Sequence, residues 1–334
     1  MYSKLVSFAL IVVALVASND LFLGAAPQVE GSRFLEHSGY ADCIELSNDS
    51  TRVVLCSAAG GRVLEYSLDG RNSLYLDPKQ NGWTWKGKGG IDPSGGRFDI
   101  GPEKIIPKHP KLWLGAWQGE ITGPRTARLV SAEDAATGVQ LIRDFRLDAS
   151  SSKLLCTQTI RNVSDETKYW CHWSRTLALG GGICLIPLSE PSRFPTKYIM
   201  YGPGSTIDIA PKDPNIRVRD GFLEILGTPQ HPKLGMDSHA GWFCYLTPND
   251  LLFVKRYPTY PNRAYNEVAA LTISIWYYRD IMCELEPIGP KEIIEPGGSE
   301  SFTETWWLLP YAFPDEAGDV DTERISDIVQ KRAQ

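Results

Sequence analysis

The segment VQLIRDFRLDASSSKLLCTQTIRNV, residues 139–163, decides the fold class. In its first nine residues every second side chain falls on one face, and that face is mostly apolar: Val139, Leu141, Arg143, Phe145 and Leu147. A period of two is typical of a half-buried β-strand. A second strand-like stretch, KLLCTQTIRNV, completes the segment, which therefore predicts two consecutive strands.

The same pattern continues through the chain from about residue 33. Further strand-like segments are RVVLC (52–56), RVLEYSL (62–68), YWCHWSRTLAL (169–179), GFLEIL (221–226), GWFCYLT (241–247), LLFVKRY (251–257) and EVAALTISIWYYRDIMCELEP (267–287). Helical spacing occurs only near the end, where Ile325, Ile328 and Val329 share one side. We predict an all-β protein, with one large antiparallel β-sandwich over residues 33–312 and a short C-terminal helix within residues 313–334.

The first residues predict export. Lys4 is followed by an apolar run from Leu5 to Ala17, shorter than the ~20 residues that span a bilayer. An early positive charge, a short apolar stretch and small residues after it are typical of a secretory signal peptide. We expect residues 1–18, or as far as residue 26, to be removed and the mature protein to be secreted or periplasmic. A membrane anchor is the alternative, and no later stretch has the length of a membrane span.

Composition and motifs narrow the function. The 334 residues carry a net charge of −6 and include ten tryptophans. Proteins that bind phosphate backbones are basic, so we expect no nucleic-acid partner, whereas a metabolite, a sugar or a protein is still a possible partner.

The motifs of serine hydrolases, P-loop proteins, dinucleotide-binding proteins and zinc proteases are absent. The seven cysteines lack metal-site spacing, so we expect no metal; Cys43 and Cys56 either pair across a hairpin or stay buried thiols.

The stretch GGRFDIGPE, residues 95–103, opens the first candidate site, and two tryptophans follow it. The candidate substrate-binding residues here are Arg97, Asp99, Trp113 and Trp117. Apolar faces of sugars stack on aromatic rings, and planar charged groups bind their polar substituents. The alternative is structural, with tryptophans in the core and Arg97 paired with an acid. His109 stands between two prolines in the sequence, which predicts that it lies in a loop.

The second candidate segment is NVSDETKYWCHWSRT, residues 162–176. A turn leads into a strand whose alternation separates two faces: Trp170, His172 and Ser174 on one, Tyr169, Trp173 and Arg175 on the other. Histidine titrates near neutral pH, which suits a general acid or a hydroxyl-binding donor. We take His172 as a candidate catalytic residue, with a core histidine as the alternative, and Arg175 as a substrate-binding candidate.

The third candidate segment is RDIMCELEPIGP, residues 279–290. Glu284 and Glu286 are two apart on a predicted strand, so they point the same way. Two buried carboxyl groups repel, which raises the pKa of at least one, whereas on a solvent face they would be ordinary charges. We expect them in a cleft as an acid/base pair.

Read in order, these segments resemble the galactose mutarotase-like superfamily, which includes aldose 1-epimerases. The similar parts are the turn and strand RNVSDETKYWCHW, the strand CELEP and the later PGGSESFTETWWL (296–308). The resemblance covers about residues 35–312 and implies a large antiparallel β-supersandwich.

The resemblance also implies a reaction. In aldose 1-epimerases a glutamate takes the proton of the anomeric hydroxyl and a histidine protonates the ring oxygen, with no cofactor. Carried over, Glu286 resembles the base and His172 a family histidine. The sequence departs from the family in having Cys171 before His172. The second histidine of the family has no clear counterpart here, although His231 or His239 could serve. The hypotheses are an exported carbohydrate-binding protein with epimerase chemistry, a lyase- or hydrolase-like enzyme on a longer glycan, or a non-catalytic sugar-binding or scaffolding module.

Overall fold

The structure is a computed structural model that describes residues 29–333. The predicted signal peptide lies outside the described residues. None of the helices within residues 29–333 has the length and apolar character needed to cross a membrane.

Twenty-two strands and two α-helices make up the described chain. The strands are β1 (Ser32–His37), β2 (Tyr40–Ser47), β3 (Thr51–Cys56), β4 (Arg62–Leu68), β5 (Arg71–Asn72), β6 (Gly96–Gly101), β7 (Gln118–Gly123), β8 (Thr126–Val130), β9 (Val139–Leu147), β10 (Leu154–Asn162), β11 (Cys171–Leu179), β12 (Ile183–Pro187), β13 (Ile199–Tyr201), β14 (Ile207–Asp208), β15 (Ile216–Arg219), β16 (Phe222–Ile225), β17 (Lys233–Met236), β18 (Trp242–Thr247), β19 (Leu251–Arg256), β20 (Ile273–Tyr278), β21 (Met282–Pro287) and β22 (Ser299–Pro310). The helices are α1 (Pro110–Trp113) and α2 (Thr322–Arg332).

The strands form two antiparallel sheets. The twelve-stranded sheet runs β1-β2-β3-β4-β6-β11-β21-β20-β17-β13-β14, with β5 also paired to β4. The ten-stranded sheet runs β15-β16-β12-β18-β19-β22-β10-β9-β8-β7. A core of side chains from both sheets is buried between them. The predicted all-β sandwich with a C-terminal helix is confirmed.

The strand alternation seen in the sequence sets the inner faces of this sandwich. The segment 139–163 contains β9 and β10, which pair from Leu147↔Leu154 to Val139↔Asn162. The predicted apolar face of β9 is buried, Arg143 included. The segment 267–287 is not one strand as predicted: β20 and β21 form a hairpin whose turn contains Arg279 with a φ of +53°.

The structure decides between a disulfide and free thiols for Cys43 and Cys56. All seven cysteines are buried thiols, so no disulfide is present among residues 29–333. Cys43 and Cys56 nevertheless lie on the neighbouring strands β2 and β3, and the thiol of Cys43 donates to the carbonyls of His37 and Tyr40. The two cysteines therefore lie on paired strands of a hairpin, as the sequence predicted, but no disulfide joins them.

Candidate functional site

Three neighbouring strands, β6, β11 and β21, carry a cluster of polar and aromatic side chains on the outer face of the twelve-stranded sheet, away from the other sheet. Alternation sends every second residue there. These residues are Arg97 and Asp99 on β6, Trp173 and Arg175 on β11, and Glu284 and Glu286 on β21. Arg175 lies opposite Arg97 in the strand register. The sheet order thus joins Arg97 to Glu284, 187 positions away in sequence. We call this group the charged cluster.

Glu284 is ion-paired to both arginines of the charged cluster. Arg97 Nη2 donates to Oε1 at 2.7 Å, and Arg175 donates through Nε to Oε1 at 3.0 Å and through Nη2 to Oε2 at 3.2 Å. Burial alone would raise the pKa of Glu284, but the charges of Arg175 and Arg97 outweigh it and hold that pKa well below its usual range. Glu284 is therefore a carboxylate at neutral pH.

Glu286 has the opposite electrostatic environment. Its side chain is 0% exposed, no N–H or O–H group of the described residues donates a hydrogen bond to either oxygen, and Arg175 Nε stays 3.4 Å away. Burial and the adjacent charge of Glu284 raise the pKa of Glu286 to about 8. Arg175 Nε lies near both carboxyl groups, 3.0 Å from Glu284 Oε1 and 3.4 Å from Glu286 Oε1. The two carboxyl groups of one strand therefore differ in charge at neutral pH.

Loops between β5 and β7 cover the charged cluster. Asp92 Oδ1 accepts a hydrogen bond from Arg97 Nη1 at 2.6 Å. The ring of Trp113, at the end of α1, lies 4.0 Å from Arg97 Cζ and 4.8 Å from Arg175 Cζ. Cations held over an aromatic face are attracted by its quadrupole. Trp113 therefore acts as a lid on the two guanidinium groups.

A histidine from the same loops joins the cluster. His109 Nε2 is 2.7 Å from Asp99 Oδ1, and His109 Nδ1 is 2.7 Å from the carbonyl of Pro107. Burial alone would lower the pKa of His109, but its hydrogen bond and charge pairing with Asp99 raise that pKa to about 8. Because both ring nitrogens are occupied, His109 is an imidazolium that fixes Asp99, which in turn lies 3.6 Å from Arg175 Nη1.

Lys233, on β17, borders the charged cluster on the other side. Its ammonium group is 3.0 Å from Glu103 Oε2 and 5.3 Å from the centre of the Trp173 ring. Burial lowers the pKa of Lys233, and the charges of Glu286 and Glu103 outweigh this and raise it. At 22% exposure Lys233 is more open to solvent than Arg175, at 15%. Lys233 therefore provides a proton donor where solvent meets the cluster.

The structure brings most of the sequence-predicted residues together. The charged cluster and its lid contain six of the eight: Arg97, Asp99, Trp113, Arg175, Glu284 and Glu286. Trp117 is instead a core residue, 5% exposed, whose Nε1 donates to the carbonyl of Leu112. Within residues 29–333 no three His, Cys, Asp or Glu side chains are grouped to hold a metal ion.

His172 lies on the wrong face for the predicted role. Its ring stacks between Phe98 and Phe302 inside the sandwich, and Nε2 contacts the carbonyl of Glu300 at 3.1 Å. Burial lowers the pKa of His172 to about 4. The expectation that His172 shares a cleft with Glu286 is wrong, because alternation along β11 turns His172 inward wherever Arg175 points outward.

Two groups in the site were not predicted. The sequence around His109 predicts only a loop residue, and no pattern marks Lys233 as a site residue. Only the scarcity of histidines, five in the chain, gave His109 any weight. Lys233 begins a four-residue strand, too short for a clear alternation. Both lie at the site because of sheet order and loop path, which the local sequence does not encode.

No protein-family model and no curated protein matches this chain. Solved structures do match. A galactose mutarotase-like protein from Lactobacillus casei is 11% identical, with a TM-score of 0.56 over 80% of this chain and 100% of its own. A galactose mutarotase related enzyme from Lactobacillus acidophilus is 10% identical, with a TM-score of 0.56 over 82% and 99%. The chain has the galactose mutarotase-like fold. A candidate aldose 1-epimerase from Escherichia coli K12 shares this mutarotase-like fold at 11% identity and a TM-score of 0.56, over 84% and 100%.

Proposed function

We propose that this mutarotase-like protein binds a carbohydrate at the charged cluster and exchanges a proton with it through Glu286. The observation that carries the proposal is the unequal pair on β21, with Glu284 ionised against two arginines and Glu286 held at a pKa of about 8. Two carboxyl groups whose environments separate their proton affinities are typical of acid/base sites. The names of its fold neighbours support an aldose as the ligand.

The proposed reaction interconverts the anomers of an aldose. In its carboxylate form Glu286 takes the proton of the anomeric hydroxyl, while the Lys233 ammonium gives a proton to the ring oxygen as the C1–O5 bond breaks. The aldehyde rotates, and on ring closure Glu286 gives its proton back to the new anomeric hydroxyl while the ring oxygen returns its proton to Lys233. A base whose pKa is near the working pH is both partly ionised and strong enough for this step. Lys233 replaces His172 as the acid because it borders the cluster.

Glu284 and the arginines have a supporting role in this reaction. The carboxylate of Glu284 keeps the proton affinity of Glu286 high, and Arg97 and Arg175 keep Glu284 ionised. Arg175, the more exposed of the two guanidinium groups, is the one that can donate to a sugar hydroxyl. The arginines therefore hold the pair in its unequal state and orient the ligand.

The geometry supports two other functions to different degrees. The full burial of Glu286 favours a second candidate, sugar binding without turnover, in which the ligand touches only the exposed rim of the cluster. Hydrolysis of a longer glycan has less support. A glycosidase places its two carboxyl groups on either side of the scissile bond, whereas Glu284 and Glu286 lie on one face of one strand and both contact Arg175 Nε.

The test is anomer exchange of reducing sugars, followed by polarimetry or NMR exchange, with the wild type, Glu286→Gln and a control. Glu286→Gln keeps the shape of the neutral carboxyl group and removes the proton transfer, so we expect a loss of at least about 100-fold, as for a general acid or base. Glu323→Gln, an exposed change on α2, is the matched control and should leave the rate unchanged.

The outcomes separate the candidates. Equal rates for the wild type and Glu286→Gln would remove Glu286 from the mechanism. Sugar binding by calorimetry without any anomer exchange would establish the non-catalytic function instead.

We also propose that the protein is exported. The support is the sequence pattern of residues 1–18 alone: one lysine, a short apolar run and small residues. N-terminal sequencing of the protein recovered from outside the cytoplasm should begin between residues 19 and 27. A chain that starts at Met1 and stays with the membrane fraction would instead identify an anchor.

A further inference from the structure

A cavity lies just before β11, the strand that carries Trp173 and Arg175 of the charged cluster. It has a volume of about 420 Å³, and its lining includes Ile105, Tyr169, Trp170, Asn266 and Lys291. Ligand sites for small molecules fall in the range of ~300–1,000 Å³. Tyr169 is 49% exposed, and Lys291 Nζ lies 4.9 Å from the centre of its ring. The cavity thus combines an aromatic surface with a cation at its edge.

One polar group in this cavity lacks a partner. Asn266 Nδ2 donates to the carbonyl of Tyr169 at 3.1 Å, which fixes the amide, but the buried Oδ1 accepts no hydrogen bond. A buried acceptor without a donor is costly, and a ligand hydroxyl would satisfy it. Lys168, also in the lining, is 3.1 Å from Glu166, which leaves Lys291 as the lining cation without a carboxylate partner in the described part of the chain.

The stretch of sequence that contributes to the cluster is basic, although the protein as a whole is acidic. Between residues 77 and 113 there are seven Lys and Arg residues against four Asp and Glu, while the whole chain has a net charge of −6. Six exposed lysines lie here: Lys79, Lys86, Lys88, Lys104, Lys108 and Lys111. None of the six has an ion-pair partner within residues 29–333. A rim of one charge sign around a cleft attracts ligands of the opposite sign.

Two of these lysines are next in sequence to residues that touch the cluster or the cavity. Lys104 adjoins Glu103, which pairs with Lys233, and it also adjoins Ile105 in the cavity wall. Lys108 adjoins His109, which pairs with Asp99. The loop that contacts the site therefore also carries these exposed positive charges.

The two sites are separated by a short distance along the chain. Tyr169 precedes Trp173 by four residues, which span at most roughly 13 Å at 3.3 Å per residue. Asn266 in the cavity is next to Glu267, whose Oε2 accepts from the backbone N–H of Glu103 at 2.8 Å. The charged cluster and the cavity are therefore no farther apart than the length of a short oligosaccharide.

We propose that this cavity is a second sugar subsite and that the ligand is an acidic oligosaccharide, which carries carboxylate or sulfate groups. One sugar ring stacks on Tyr169, a hydroxyl donates to Asn266 Oδ1, and Lys291 with the lysine rim binds the anionic groups. The inference rests on the proposed function for the first sugar, at the charged cluster, and it adds the substrate class.

The test is calorimetric binding by the full chain of four probes: galacturonic acid, its tetramer, a sulfated tetrasaccharide and neutral cellotetraose. We expect an acidic tetramer to bind at least about tenfold more tightly than the monomer and the neutral tetramer, and more weakly as salt rises. The carboxylated and sulfated probes show which anion is preferred. Tyr169→Ala and Lys291→Gln should each weaken tetramer binding about three- to tenfold, the range for a partly exposed aromatic or ionic contact, and leave monomer binding unchanged.

Lys331→Gln, an exposed lysine on α2, is the matched control and should change nothing. Equal affinities for acidic and neutral tetramers, or tetramer binding untouched by both cavity variants, would overturn the subsite while monomer binding still supports the proposed function. Loss of tetramer binding in the cavity variants together with normal anomer exchange in Glu286→Gln would retain the subsite and reject the catalytic role.

Discussion

At the scale of single residues, the proton held by Glu286 makes stability depend on pH. Its folded pKa of about 8 lies above the ordinary value of a glutamate, so the folded chain binds a proton that the unfolded chain releases. The stabilisation from that proton is complete below about pH 4 and is lost as pH rises through about 8. Glu286→Gln keeps the neutral shape at every pH. We expect its melting temperature to exceed that of the wild type by a few degrees at pH 9 and to match it near pH 5.

Thermal unfolding of both proteins across this pH range measures the effect. Glu284→Gln is the informative comparison, since neutralising that carboxylate leaves Arg97 and Arg175 buried without a full partner. Breaking a buried ion pair costs about 3–5 kcal/mol, so this variant should be destabilised even at pH 5. Parallel pH profiles for the wild type and Glu286→Gln would show that Glu286 ionises normally.

At the scale of secondary structure elements, helix α2 covers the outer face of the ten-stranded sheet. Asp321 caps it by accepting from the backbone N–H of Arg324 at 2.9 Å. Ile325 and Val329 are buried in a cluster with side chains of β12, β18, β19 and β22. The predicted apolar side of the helix is therefore the side that docks, and without it an apolar strip of the sheet would meet solvent.

Ile325→Ala should destabilise the protein by about 2–5 kcal/mol, the cost of removing a buried isoleucine side chain. The measurement is chemical denaturation. Asp327→Ala on the exposed side removes only a surface ion pair with Lys331 and should cost less than about 1 kcal/mol. Similar losses for both variants would mean that α2 is not docked in solution.

The elements also show what the sequence can and cannot predict. A period of two along residues 169–179 correctly separated His172 and Ser174 from Trp173 and Arg175. It could not say which face meets the other sheet, because both faces of β11 are buried, and so His172 was assigned to the cleft. A pair such as Glu284 and Glu286 is readable because it lies within one strand. Contacts such as Arg97 with Glu284 depend on the order β6-β11-β21, which no local pattern specifies.

At the scale of the whole molecule, one buried lysine of the ten-stranded sheet contacts the other sheet directly behind the charged cluster. Lys255 on β19 is 3.0 Å from Glu304 on β22, and both are fully buried. The same ammonium group donates to Ser174 and Thr176, on either side of Arg175, and to the carbonyl of Leu285, between Glu284 and Glu286. The strands that present the cluster are thus held from behind by one lysine of the opposite sheet.

This arrangement predicts that Lys255→Met affects both stability and the site. Glu304 would keep its hydrogen bonds from Gln158 and Trp306 but lose its ion pair with Lys255, so we expect a loss of about 3–5 kcal/mol in unfolding free energy by denaturant titration. Replacing both partners, Lys255→Met with Glu304→Met, removes the unpaired charge and should recover much of that stability. The hydrogen bonds to β11 and β21 stay absent in the double variant. If they position the charged cluster, its sugar affinity should remain weakened although its stability has recovered, whereas full recovery of both would assign Lys255 to the core alone.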